Sequence, residues 1–301
     1  MLLEASVLLS TNLLLLSIIA YHKSLRVRKE LVIILCTAFA DFLFGFALVQ
    51  NMSKGLYSLA TELADRKLSR SQCVMSVDII LVIYSMLVQG FTLLAQSSDR
   101  FIAINFPMFY LGLDSSYAFL LMCSVYSVAF FESVALLTVS GLEDAVVHGT
   151  QCTAATTLNK ECFRMWNSTH SLAGFYSVLV FAVTMLRYRA HMSKILPSTD
   201  RERAAHLSNQ RKVTMSMAIS CLFTTLFFLV PRLGNLFILS RFKRSKTTIG
   251  LRYMALLLYA LNPSLNLLIY YKRHREIRLG LRYLLRREAL PENLDIVLEH
   301  A

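Results

Sequence analysis

Seven predominantly apolar stretches dominate this sequence, at about residues 2–21, 31–58, 74–98, 117–139, 169–189, 213–239 and 248–271, with charged connections between them. Each approaches or exceeds the ~20 residues a helix needs to cross a hydrocarbon core about 30 Å thick. Lipid offers no water to backbone N–H and C=O groups, so only helices and closed barrels span it. None of the stretches alternates with the two-residue period of a barrel strand. The pattern predicts an all-α fold: a seven-transmembrane helix bundle formed as one domain over residues 1–287, with a short tail at 288–301. Composition agrees, since 55% hydrophobic residues exceed the apolar share of about 45–50% typical of soluble domains.

A formal charge of +12 would point to nucleic acid in a soluble protein, so the placement of Lys and Arg decides the matter. They fall mainly in alternate connections: Lys23, Arg26, Arg28 and Lys29, then Arg100, then Arg187 through Lys212, then a basic tail from Lys272. This is a membrane pattern and implies no nucleic-acid partner. By the positive-inside rule it sets the amino terminus outside and the carboxyl terminus in the cytosol of a multi-pass plasma-membrane protein. Arg241, Lys243, Arg244 and Lys246 oppose that bias without reversing it. Met1-Leu2-Leu3-Glu4 lacks a basic start and no cleavage site follows, so the first helix is expected to be its own anchor. Near the end, Ile277, Leu281, Leu284 and Leu285 share a face beside Arg278, Arg282 and Arg286. That spacing predicts a short amphipathic eighth helix over about 274–287, lying on membrane lipid at the cytosolic face.

Polar groups inside lipid are costly, and they mark either function or hydrogen bonding between helices. Asn12, Asp41, Asn262 and Asn266 interrupt the apolar runs. At ~1.5 Å rise per residue, Asn12 and Asp41 each lie about 15 Å from the basic connection between their spans, so they share a depth. Asn262 and Asn266 are four apart, on one helical face, and are expected to meet Asp41.

The segment Asp99-Arg100-Phe101-Ile102-Ala103-Ile104-Asn105-Phe106-Pro107-Met108-Phe109-Tyr110 closes the third span. It resembles the Asp-Arg-Tyr segment of rhodopsin-like (class A) G-protein-coupled receptors, with Phe101 in place of Tyr. The resemblance implies that Asp99 neutralises Arg100 where the helix leaves lipid, keeping the arginine in reserve for a cytosolic partner. The last span supplies a second match in one of two registers. Asn262-Pro263 can stand for the start of the family's Asn-Pro-x-x-Tyr, which leaves Asn266 at the Tyr position. Alternatively Asn266 and Tyr270 stand for its Asn and Tyr, with Leu267 at the Pro position. The second register is preferred, because Tyr270 through Arg278 then lead into the family's eighth helix with its spacing. It moves the helix-distorting proline one turn outward, to Pro263. Asp41 matches the family's second-helix acid and Asn12 its first-helix asparagine, so the resemblance spans nearly the whole chain.

Departures are as informative. The second-helix acid of that family can hold sodium or take up a proton, but Gln89 stands where a small hydroxyl residue usually contributes, which counts against sodium at Asp41. In the sixth span Phe228-Leu229-Val230-Pro231 replaces the usual Cys-Trp-x-Pro, so the aromatic switch is missing and Pro231 alone survives. Arg211 falls near where many receptors carry the acid that pairs with the third-helix arginine, so the inactive-state lock has to differ. Taken with Phe101 and the short amino terminus, these departures are similar to nematode serpentine chemoreceptors of the srsx type.

The family also joins a cysteine at the outer start of the third helix to the long outer loop. Cys73 takes the first position, and either Cys152 or Cys162 the second. Asn167-Ser168-Thr169 is a glycosylation acceptor expected on that loop. The resemblance places the ligand pocket in the outer halves of the spans, where Asp78, Arg232, Asn235, Tyr253 and Tyr259 fall. Arg232 would either attract an anionic ligand or pair with Asp78. Glu132, midway through the fourth span, is a buried acid with no evident partner.

The expectation is a receptor and not an enzyme, because no metal-ligand cluster, phosphate loop or nucleophile with a base appears, and no cofactor is implied. A small extracellular ligand, odorant-like or a short peptide, would bias the bundle toward a state that opens a cleft around Arg100 to a heterotrimeric G protein. Two alternatives use the same residues: a transporter or ligand-gated channel with Asp41, Glu132 and Gln89 along an ion path, and a seven-helix scaffold that does not signal.

Overall fold

The computed structural model describes residues 2–61, 68–143, 146–147, 152–192, 222–231, 233–234 and 246–286. Arg211, Arg232, Asn235, the tail at 288–301 and the side chain of Tyr253 lie outside the described residues.

Helices α1 (Leu2–Tyr21) and α2 (Lys29–Ala60) are joined through a single helical turn, Lys23–Arg26. Helices α3 (Val77–Asn105) and α4 (Ser115–Gly141) follow, with the turn Pro107–Leu111 between them. Helix α5 (Lys160–Met192), α6 (helical over 222–231, π-helical through Thr224–Leu229) and α7 (Lys246–Arg273) complete a seven-transmembrane bundle, and α8 (Arg275–Arg286) is its short eighth helix. Among the described residues α1 to α5 are each long and apolar enough to cross a bilayer. Helix α3 packs against α2, α4 and α5, while α7 packs against α1 and α6.

Local chemistry sets the ends of these elements. Pro107 opens the inner turn at its first position, where the missing N–H has no partner to lose. Asp114 caps α4 by accepting from the backbone N–H groups of Ser116 and Tyr117. Hydrogen bonds from the Ser116 side chain and the Tyr117 backbone hold the Asp114 carboxyl below its ordinary range. Helices α3 and α5 approach closely at Gly90, where a Cβ would lie 2.9 Å from the His170 ring. Small residues permit such approaches in membranes, where packing rather than water drives association.

Helix α5 begins at Lys160, nine residues before the apolar run suggested. The polar stretch 160–168 is helical because its buried positions continue the same face: Cys162, Trp166, His170, Ala173, Ser177, Phe181 and Thr184 are all buried at steps of three and four. Trp166 Nε1 donates to the Ile83 carbonyl at 3.2 Å, fastening this extension to α3. The glycosylation expected at Asn167 is corrected by the same geometry: the residue is 1% exposed inside α5, which leaves no room for a glycan.

Near Cys73, two-residue strands β1 (Leu68–Ser69) and β2 (Val146–Val147) pair antiparallel, a small addition to the helices among the described residues. Cys73 is bonded to Cys152, and Cys162 is a free, buried thiol. At the opposite end α8 docks on α1 with a face shifted from the expected one. Ile277, Leu279 and Gly280 are buried, whereas Leu285 is 75% exposed. The cause is Gly280: a Cβ there would lie 2.8 Å from Ile18 Cγ2 and 3.1 Å from Leu25 Cδ1. His22 Nε2 donates to the Gly280 carbonyl at 3.0 Å, and Arg28 Nη1 pairs with Glu276 Oε1 at 3.1 Å.

Candidate functional site

Polar residues of the bundle form a chain of hydrogen bonds across four helices. At its centre Asp41 of α2, 3% exposed, accepts from Gln89 Nε2 of α3 and from Asn266 Nδ2 of α7, each at 2.7 Å. Gln89 Oε1 in turn accepts from the Tyr259 hydroxyl at 2.5 Å, and that hydroxyl lies 3.2 Å from Nε2 of His170 on α5. Asn266 thus meets Asp41 as depth and helical phase led one to expect. Asn12 of α1 shares the depth but reaches no carboxylate; its Nδ2 donates to the carbonyls of Leu8 at 2.9 Å and Pro263 at 3.3 Å. Asn262, one turn of about 5.4 Å away from Asn266, lines the adjoining cavity instead of bonding Asp41.

This arrangement does not suit sodium. Both oxygens of Asp41 face amide N–H donors, and Gln89 is held in that orientation because its own oxygen takes the Tyr259 hydroxyl. A hard cation needs oxygen ligands, and none of these partners turns one toward the carboxylate. Tyr259, expected in the ligand pocket, is 3% exposed and belongs to the polar chain. Asp78 likewise serves another purpose. It pairs with Lys54 and accepts from Ser76 Oγ at 2.6 Å and Asn51 Nδ2 at 2.9 Å, while Asn51 also donates to the Cys152 carbonyl at 3.2 Å. This ties α2, α3 and the disulfide loop together. Glu132 finds Thr169 of α5 as its neighbour.

Above the polar chain lies an aromatic cluster. His170, Phe228 of α6 and Tyr259 have ring centroids 4.8 Å, 5.4 Å and 5.8 Å apart, and Phe44 of α2 meets Tyr259 edge-on at 5.6 Å. Phe228 fits only because α5 has Gly174, where a Cβ would lie 2.2 Å from the ring. Phe228, the residue next to the expected switch position, thus brings an aromatic ring of α6 into this cluster.

At the end of the bundle opposite the disulfide, Arg100 Nε lies 3.7 Å from Asp99 Oδ2, and Arg100 Nη1 lies 3.6 Å from Glu30 Oε1 of α2. Asp99 is 1% exposed and also accepts from the Tyr110 hydroxyl at 3.3 Å. Burial and the neighbouring Asp99 charge push the Tyr110 phenol above its ordinary range, which keeps it a donor. A cavity of about 90 Å³ lies between Arg100 and the polar chain, lined by Glu30, Asp99, Arg100 and His274 on one side and by Asp41, Gln89 and Tyr259 on the other. Ile33, Ile34, Leu93, Phe181 and Ile269 make much of its wall apolar, so water within it would gather at the polar side chains.

The family model for the serpentine type 7TM GPCR chemoreceptor Srsx matches residues 6–285. The chain belongs to this Srsx family. The match covers all but the first four residues of α1 and the last residue of α8, so every helix named above contributes to the chemoreceptor unit. No curated individual protein matches this Srsx receptor significantly. Three of its site residues were not singled out by sequence reasoning: His170, Glu30 and Lys29. The spacing of four from Cys162 through Trp166 to His170 was the available signal for the first. Nothing in the sequence separates Lys29 and Glu30 from the charged connection before them.

Proposed function

We propose that this Srsx receptor transmits binding of a small extracellular ligand to a heterotrimeric G protein that docks at Arg100, and that it performs no covalent chemistry itself. The observation that carries this reading is the continuous cavity between the Arg100 end and the Asp41–Gln89–Tyr259 chain. A shift of α6 or α7 at the aromatic cluster changes the walls of the same space that ends at the coupling arginine. Such a bistable packed element is what a ligand can bias.

The two ends of the bundle differ in the sense this function requires. The disulfide Cys73–Cys152 lies at one end, and an oxidising exterior permits it. Lys23, Arg26, Arg28, Lys29, Arg278 and Arg282 gather at the other, in keeping with a cytosolic face and a plasma-membrane location. The test is nucleotide exchange by a panel of purified heterotrimers, with the receptor in nanodiscs and a library of odorant-like molecules and short peptides. A ligand should accelerate exchange, and Arg100→Ala should abolish the response while leaving receptor yield unchanged. A ligand-gated current lost in Asp41→Ala, with no exchange on any heterotrimer, would show a channel instead.

A further inference from the structure

Glu132 of α4 takes no part in the polar chain, the Arg100 end or the ties around the disulfide, yet it is an acid deep in a span. Helix α4 is centred on Val128, and Glu132 lies about 6 Å from that centre at ~1.5 Å rise per residue. A hydrocarbon core extends about 15 Å to either side of its midplane, so the carboxyl is level with lipid tails rather than headgroups. On α4 it sits between a covered and an open side: Ala129 and Leu136 are buried, whereas Val128 and Phe131 are exposed. On α5 its neighbour Thr169 shares a face with Met165 and Leu172, which are also exposed. Both helices pack on α3, so these residues border a seam between α4 and α5 that opens outward from the bundle.

Glu132 Oε1 is shut off from the surface and has no hydrogen-bond partner among the described residues. Thr169 offers the carboxyl a hydroxyl, and no Lys, Arg or His lies beside it among the described residues. An acid kept in hydrocarbon without a cation is expensive, and an orphaned buried acceptor adds the cost of its lost hydration. The side chain as a whole is only partly covered, so rotation about its bonds turns Oε1 into the seam. From this geometry we infer that Glu132 anchors a second ligand site, open to the bilayer between α4 and α5, which takes a lipophilic amine arriving through the membrane. The ammonium N–H groups fill the orphaned acceptor, and the positive charge neutralises the carboxylate. The hydrocarbon part of the molecule replaces lipid against Val128, Met165 and Leu172. A neutral alcohol of the same shape supplies a hydrogen bond without the charge, so the site discriminates between the two.

The test is photolabelling of the full-length receptor in nanodiscs with a phenylbutylamine that carries a trifluoromethyl diazirine on its ring. Labelled residues are mapped by mass spectrometry, and only label displaced by excess unmodified phenylbutylamine is counted. Wild type should be labelled on α4 around Val128 and Glu132 or on α5 around Met165 and Leu172. Phenylbutanol should displace the label about tenfold less well than the amine, a hydrogen bond to a charged group being worth that factor or more. Glu132→Gln keeps the shape and should lose displaceable label by a similar factor. Val128→Trp leaves the acid in place and fills the seam from an exposed position, so it should lose the label too, and it decides the matter where Glu132→Gln does not fold. Label confined to other segments, equal displacement by the alcohol, or undiminished label in a folded Glu132→Gln or Val128→Trp receptor overturns the site. A Val128→Cys receptor that oxidises to a covalent dimer, while wild type takes no displaceable label, assigns the seam to a second copy and overturns it as well. None of these outcomes depends on nucleotide exchange, so the receptor reading stands or falls separately.

Discussion

Replacing Asp41 by Asn keeps the side-chain shape while exchanging one acceptor for a donor, and the geometry says what this costs. Each carboxylate oxygen accepts one amide N–H, from Gln89 and from Asn266, both at 2.7 Å. Asparagine offers one oxygen, so its own NH2 must face one of these two donors. Gln89 cannot turn its amide round without losing the Tyr259 hydroxyl from its oxygen. With the Asn266 amide kept in its present orientation, one interhelical hydrogen bond is lost and one buried donor is stranded. Interhelical bonds in membranes average about 0.6 kcal/mol, whereas a stranded buried donor costs about 1–3 kcal/mol, so the second effect dominates. Reversible unfolding in mixed micelles should show Asp41→Asn less stable by about 1–3 kcal/mol. Gln89→Leu removes the opposing donor, so the double variant should be no less stable than Gln89→Leu alone, within about 0.5 kcal/mol. An Asp41→Asn receptor as stable as wild type, or costs that simply add in the double variant, would refute the assignment of donors and acceptors.

Two further outcomes follow from the packing. Cys152→Ser should lose the cross-link that closes a separation of 79 residues, at a cost of about 4.5 kcal/mol by loop entropy, whereas Cys162→Ser should keep it; peptide mapping under non-reducing conditions distinguishes them. Gly280→Leu should drive a side chain into Ile18 and Leu25, 2.8 Å and 3.1 Å from the Cβ position, with an overpacking cost of about 1–3 kcal/mol. Faster amide exchange across Arg275–Arg286 is the expected readout, and unchanged protection there would contradict the close approach.

The class of fold was legible because membrane thickness imposes a length on every span, and the polar interruptions were legible because lipid makes them expensive. Asp41 with Asn266 was readable from depth and helical phase alone. Asn262, on the same face, missed Asp41 because one helical turn is longer than a hydrogen bond, a distinction that phase does not capture. Tyr259 was assigned to the ligand pocket from its position along the span, but a hydroxyl can join a polar chain when its ring faces the bundle, and composition does not reveal which way a ring faces. His170 shares a helical face with Cys162 and Trp166, but its ring partners come from α6 and α7, which spacing along one helix does not reveal. Asn167 was placed on a loop because 160–168 is too polar for lipid; the segment is helical nonetheless, since one face of it is covered by α3. Glu30 was hidden among basic neighbours, and only the folding of α3 alongside α2 brings it to Arg100.

The clasp between His22 and Gly280 joins residues 258 positions apart, and this sets an order of events during synthesis. The ribosome makes α1 first, yet the flank of α1 that carries Ile18 and the turn that carries Leu25 have no cover from α8 until nearly the whole chain has emerged. The bundle is sealed by its final segment, like a band whose buckle is at its two ends. A chain truncated before Arg275 would leave that seam open however well the other helices had assembled.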